Sequence, residues 1–147
     1  AGVIGGEFAD LIRRLTNALF DVGADVCTPL APDEKTGDRL RMSERDAERL
    51  ERLIDEHNER LSPLTSFVLP GGTELSSRLH TARVMVRRAE RRLAALLEAE
   101  PETTNRAAFV YVNRLSDLLF VLARRANEDG ASDVLWEPGQ GAGEGDA

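Results

Sequence analysis

Arg83, Arg87 and Glu90 stand four and three residues apart, so on a helix they project from one strip. Arginine is concentrated around them. Residues 78–92 hold six (Arg78, Arg83, Arg87, Arg88, Arg91, Arg92) against one acid, a local +5 in a chain of formal net charge −7, which leaves −12 for the remainder. Guanidinium groups are permanently charged, planar forks, so such a ridge in an acidic chain suggests a bound anion, a phosphate or a carboxylate. The plainer reading is a solvated helix flank, where isolated charges contribute little. A second strip, Asn113, Asp117, Phe120 and Arg124, recurs at steps of four, three and four. An asparagine and an aspartate near a core need hydrogen-bond partners, which arginines of a neighbouring helix would provide.

Both strips ride on helices. Leu75, Leu79, Ala82, Val86, Ala89, Leu93 and Leu96 alternate steps of four and three, the seam of a long helix packed against others. Ala108, Val112, Leu115, Leu119, Leu122 and Ala126 repeat that spacing further on. Thr73 is placed to cap the first of these helices, and Thr103 or Thr104, beyond Pro101, the second. The turn Pro70-Gly71-Gly72 precedes Thr73; its glycines suit either a plain tight turn or a place where a ligand or another backbone comes close. Upstream, Phe8, Leu11, Ile12, Leu15, Leu19 and Val22 mark a helix from about Glu7 to Val26. Another opens at Ser43, with Glu44 and Asp46 in its first turn, buries Leu50, Leu53, Ile54, His57 and Leu61, and is ended by Pro63. His57 has no second histidine or cysteine at ligand spacing and reads as a packed side chain. Lys35-Thr36-Gly37-Asp38 lacks the glycine spacing of a phosphate loop and reads as a surface turn. Val134, Leu135 and Trp136 form a short apolar anchor, with Trp136 capping the bundle or covering a ligand, before a glycine-rich acidic tail over 137–147 expected to be flexible. The expected architecture is all-α, an antiparallel bundle with four long helices evident, forming one domain over 1–136.

Composition excludes several classes. One cysteine, Cys27, allows neither an internal disulfide nor a metal cluster and reads as a small buried group at a helix end. No metal ligands are expected. No apolar run approaches the ~20 residues of a membrane span, and the first residues lack a secretion signal, so a soluble cytoplasmic protein is expected. Acidic balance and only 5% aromatic residues argue against nucleic acid.

Longer motifs are more specific than this spacing. FVLPGG at 67–72, LHTARVMVRRAER at 79–91 and YVNRLSDLLFVLAR at 111–124 closely resemble the PduO-type ATP:cob(I)alamin adenosyltransferases, and LFDVGADVCTP at 19–29 and DVLWEPG at 133–139 extend the match over most of the chain. The resemblance implies a five-helix bundle assembling as a homotrimer with active sites between subunits. It implies transfer of the 5′-deoxyadenosyl group of ATP to the cobalt of cobalamin, with Mg²⁺ as cofactor and release of triphosphate. Cobalt(I) is itself the nucleophile, so the protein must position the partners, stabilise the leaving group and make cobalt reducible. By the same resemblance, Arg83 ties to a carboxylate of the neighbouring subunit, Arg87 holds the ATP phosphates, and Glu90 and Asn113 line or brace the nucleotide pocket. Arg88 would form supporting ion pairs. Phe67 would approach the lower face of the corrin and displace cobalt's lower ligand, with Val68, Gly71, His80 and Trp136 completing the cobalamin side. An adenosylcobalamin-dependent mutase would be the acceptor. The family also carries a T-G-D-x-G-T phosphate segment and an acidic patch ahead of these motifs, which this chain lacks; the expectation is an unrecorded N-terminal part. Two other readings stay open from the residues: a cobalamin delivery protein without nucleotide chemistry, and a helical interaction protein whose arginines pair across a subunit interface.

Overall fold

The last helix is the hub. The computed structural model describes residues 6 and 8–141, so the expected helix start at Glu7 and the tail beyond 141 lie outside the described residues. Four helices follow in order: α1 (Ala9–Val26), α2 (Glu44–Asn58), α3 (Glu74–Ala99) and α4 (Arg106–Arg125). Each of the first three packs on α4, and none closely approaches another through its backbone. Cross-links give the directions. Phe8 lies under Arg125 while Asp25 bonds Asn105, so α1 runs against α4. Glu51 meets Arg114 and Arg60 meets Asp129, so α2 runs with it. Thr73 meets Asn127 and Glu90 meets Asn113, so α3 runs against it. Consecutive helices are therefore antiparallel, as the bundle expectation requires.

Burial explains the hub. Ala108, Val112, Leu115, Leu119 and Leu122 of the expected seam are buried, and so are Leu118, Val121 and Ala123 on other faces. A helix touched on several sides needs apolar residues all round, which a single-stripe reading understates. On α3, which leans on one neighbour, Leu79, Val86 and Leu93 are buried but Ala89 is exposed, against expectation. A straight helix drifts by about 20° per heptad, so an alternating four-three seam loses its edge positions to solvent. Leu19 of α1 is likewise 40% exposed, beside Phe20 at 78%.

Ends were partly misplaced by sequence. Thr73 caps α3 as expected, accepting from the Ser76 amide at 3.2 Å. At α2, the Asp46 carboxylate accepts from the Ser43 amide at 2.9 Å. Asn105, not Thr103 or Thr104, caps α4, its side chain accepting from the Ala107 amide at 3.0 Å. α2 stops at Asn58, well short of Pro63. Cys27 does sit at a helix end but is exposed, not buried. His57 packs edge-on against Phe8, with ring centroids 5.6 Å apart.

The connector between α1 and α2 is clamped by charge. Arg41 donates to Asp25 Oδ1 at 2.8 Å and to Glu34 at 2.6 Å, and Asp25, itself buried, also accepts from the Asn105 amide nitrogen at 2.6 Å. Contacts between a loop and distant residues carry no periodicity, which is why sequence spacing missed them.

Candidate functional site

Segment 64–68, the chain around Trp136, and one face of α3 and α4 enclose a cleft of about 840 Å³, lined among others by Phe67, Val68, Arg83, Phe120 and Trp136. Phe67 is 76% exposed and Trp136 44%. Two large rings held in the open mark a binding surface more readily than a core. They meet edge to face, centroids 5.9 Å apart. A short antiparallel pairing fixes them: the Trp136 amide donates to the Phe67 carbonyl at 2.8 Å, the Leu69 amide to the Val134 carbonyl at 2.8 Å, and Ser66 Oγ to the Trp136 carbonyl at 2.7 Å. Val68 and Leu135 form the bridge between them.

On the opposite wall, the Arg83 guanidinium lies 5.0 Å from the centroid of the Phe120 ring. Its Nε is buried without a hydrogen-bond partner among the described residues. The ring face, negative by its quadrupole, is what steadies this charge. His80, one turn back, is buried with its ring edge on Phe120 at 6.2 Å, and its Nε2 also lacks a partner. Burial, and secondarily the Arg83 charge, hold the His80 imidazole below its usual range, while Asp133 acts the other way. It stays neutral near pH 7.

One turn further along, Arg87 stands 3.7 Å from Glu90, with about half its side chain in solvent. Glu90 accepts from Asn113 Nδ2 at 2.7 Å across the α3–α4 seam. The structure thus joins Arg87, Glu90 and Asn113 in one cluster beside the cleft that holds Phe67, Val68, Arg83 and Trp136. The expected pairing of the α4 strip with α3 arginines is corrected: Asn113 bonds a carboxylate, and Asp117 pairs with Arg114 of its own helix at 3.2 Å. Helix direction brings Glu90, the strip's only acid, opposite Asn113. Arg78 pairs with Glu74, whereas Arg88, Arg91 and Arg92 have no ion-pair partner among the described residues.

Gly71 and His80 lie outside the cleft wall. A Cβ on Gly71 would touch Val134 at 3.4 Å, and His80 sits beneath Phe120. The close neighbour that the glycine turn admits is the protein itself: at Gly72, φ is +92° and a Cβ would fall 2.3 Å from Asn127 Oδ1. Asn127 and Asp133 are the residues that sequence reasoning missed. Asn127 is fully buried, and Asp133 accepts from Arg124 Nε at 2.7 Å. The one available signal was a polar residue directly after a helix whose apolar seam runs to Ala126.

Comparisons with known proteins agree in kind. Residues 4–126 match the family described as cobalamin adenosyltransferase. The corrinoid adenosyltransferase of Mycobacterium tuberculosis strain H37Rv is 49% identical over 133 residues, covering 90% of this chain and 67% of that protein. The human corrinoid adenosyltransferase is 39% identical over 125 residues, covering 83% of this chain and 48% of its own length. Among solved structures, a phenylalanine-to-alanine variant of the PduO-type ATP:corrinoid adenosyltransferase of Lactobacillus reuteri, complexed with cobalamin and ATP, superposes with a TM-score of 0.75 at 34% identity, covering 88% of this chain and 70% of that one.

Proposed function

The chain belongs to the cobalamin adenosyltransferase family, and from that premise we propose that it transfers the 5′-deoxyadenosyl group of ATP to the cobalt of cob(I)alamin, releasing triphosphate. The observation that carries this reading is the exposed Phe67–Trp136 pair facing Arg83 across one cleft, one helical turn from Arg87, Glu90 and Asn113. An apolar wall suits a corrin face, and a half-exposed guanidinium suits a polyphosphate.

The cobalt(I) electron pair attacks the 5′ carbon, the carbon–oxygen bond to triphosphate breaks, and the leaving group departs with that bond's electrons. No protein nucleophile takes part. Arg87 stabilises the charge that grows on the departing oxygens, a contribution that is larger in the transition state than in bound ATP. Glu90 braces Arg87 and is itself fixed by Asn113, so the guanidinium is aimed before ATP arrives. Arg83, lodged over Phe120 with an unfilled donor, suits a carboxylate presented by a second subunit. Phe67 presents a bulky apolar edge that excludes a lower ligand from cobalt without replacing it. Val68 and Trp136 extend that wall, Gly71 packs behind it against Val134, and His80 supports the opposite wall through Phe120.

Among the described residues no three His, Cys, Asp or Glu side chains gather as a metal site. Mg²⁺ belongs with ATP, as counter-ion to its phosphates.

We also propose the assembly. Val84 and Met85, 62% and 61% exposed on α3 beside Arg88, suit burial in a homotrimer with sites between subunits, and Phe20 of α1 suits cover by a fifth helix. Among the described residues no helix is long and apolar enough to cross a membrane. A cytoplasmic setting and a mutase acceptor complete the proposal.

The test mixes the full-length protein with ATP, Mg²⁺ and chemically reduced cobalamin and follows the absorbance of adenosylcobalamin. Its appearance is the expected result. Bound cobalamin that stays unalkylated would replace the enzyme by a delivery protein, and no cobalamin spectral change at all would overturn the reading.

A further inference from the structure

The aromatic wall of the cleft rests on a buried polar hub at the end of α4. Asp133 accepts from Arg124 Nε at 2.7 Å with one oxygen and from Asn127 Nδ2 at 3.2 Å with the other. Arg124 and Asp133 side chains are only 7% and 3% exposed. Arg124 also donates to the Ser62 carbonyl at 3.0 Å, just before segment 64–68. Asn127 donates to the Gly71 carbonyl at 3.2 Å and accepts from the Thr73 amide at 2.9 Å, just after that segment. Three side chains thus grip both ends of the stretch that carries Phe67 and the start of the segment that carries Trp136. Between those grips, only the short pairing of 66–69 with 134–136 holds the two exposed rings.

We infer that Asp133, clamped by Arg124 and Asn127, is a positioning residue that sets the height and tilt of the Phe67–Trp136 wall. The physical ground is a mismatch between stability and exposure. Phe67 stands largely in water and Trp136 is 44% exposed, so burial alone holds neither ring firmly, and their placement must come in good part from what their backbones are tied to. A carboxylate that accepts from a guanidinium Nε with one oxygen and from a side-chain amide with the other is fixed in direction as well as distance. Asp133 immediately precedes segment 134–136, so a shift there passes directly into the Val68–Leu135 bridge and its flanking hydrogen bonds. The inference rests on the proposed function for its catalytic consequence, but not for its structural content.

Trp136 is the only tryptophan in the chain, so its emission reports on the strap without any reaction. In Asp133→Asn, with helical circular dichroism retained, emission should shift to the red and acrylamide quenching should rise about twofold. Reaction starting from cob(II)alamin, with a one-electron chemical reductant supplied to form cob(I)alamin, should fall by up to about a hundredfold, the scale of a misplacement of about 1 Å. KM for ATP should stay as in the parent, because Arg87 and Glu90 lie on a different stretch. A folded Asp133→Asn with parental emission and quenching overturns the inference.

Should that variant not fold, Arg124→Leu combined with Asp133→Ala removes both charges and leaves none buried alone. The same emission change is expected, and a native signal in the folded pair overturns the inference. Hydrogen exchange of the unaltered protein needs no substitution. The Leu69 and Trp136 amides should open together with the Thr73 amide, and free exchange of the first two while Thr73 stays protected would also overturn it. Loss of adenosyl transfer with these signals intact would count against the proposed function alone.

Discussion

Arg87 keeps about half its side chain in water and its ion-pair partner among the described residues is Glu90, so its removal opens no enclosed cavity. Arg87→Ala should therefore change the stability of the fold by no more than about 0.5 kcal/mol, the usual range for surface positions. The same substitution should lower kcat by about a hundredfold or more, as loss of one donor to developing charge does. Urea unfolding and single-turnover alkylation measure the two effects separately; a variant of equal activity would remove Arg87 from the phosphate role. At this scale the sequence was a good guide to which residues share a helix face and a poor one to what they touch. Helical spacing placed Arg83, Arg87 and Glu90 on one strip, since that follows from the geometry of a single helix. It could not show that Asn113 faces Glu90 or that Arg83 lies on Phe120, because those contacts depend on the relative height of two helices.

The element that fixes such heights at the open end of the bundle is the turn before α3. Gly72 has φ +92°, a region that residues with a Cβ rarely enter, and Asn127 occupies the space a Cβ would need. Gly72→Ala should destabilise the protein by about 2 kcal/mol or more, from backbone strain together with displacement of the Asn127 side chain. The urea midpoint should fall accordingly, and a midpoint within error of the parent would show that the turn has another conformation available. Reading the chain alone left this turn open between a tight bend and a ligand cradle. Both need the same glycine chemistry, and what settles the matter is a fully buried asparagine more than fifty residues away, at the far end of α4.

Across the whole molecule, the helices and their alternating directions were legible, while the central place of α4 was not, because its apolar residues could be counted as one stripe or as several. Tyr111, the only tyrosine, reports on that centre. Burial first, and the charges of Asp46 and Asp21 second, push its phenol from 10.0 up to about 12. The fold prefers the neutral phenol, so this contribution is complete below about pH 10, declines as pH rises and is lost above about pH 12. Over that window stability should fall by roughly 2–3 kcal/mol from this group, at 1.36 kcal/mol per unit. Tyrosinate absorbance should titrate late in the native protein and normally in urea; coincident curves would place Tyr111 in water. The hub position of α4 also bears on synthesis. A ribosome releases α1, α2 and α3 before the helix on which all three pack, so the growing chain carries three amphipathic faces with no partner until α4 emerges. Association of these three helices therefore waits for α4 itself, and any stop codon inside α4 leaves a product with nothing to collapse upon, an early target for chaperones and proteases.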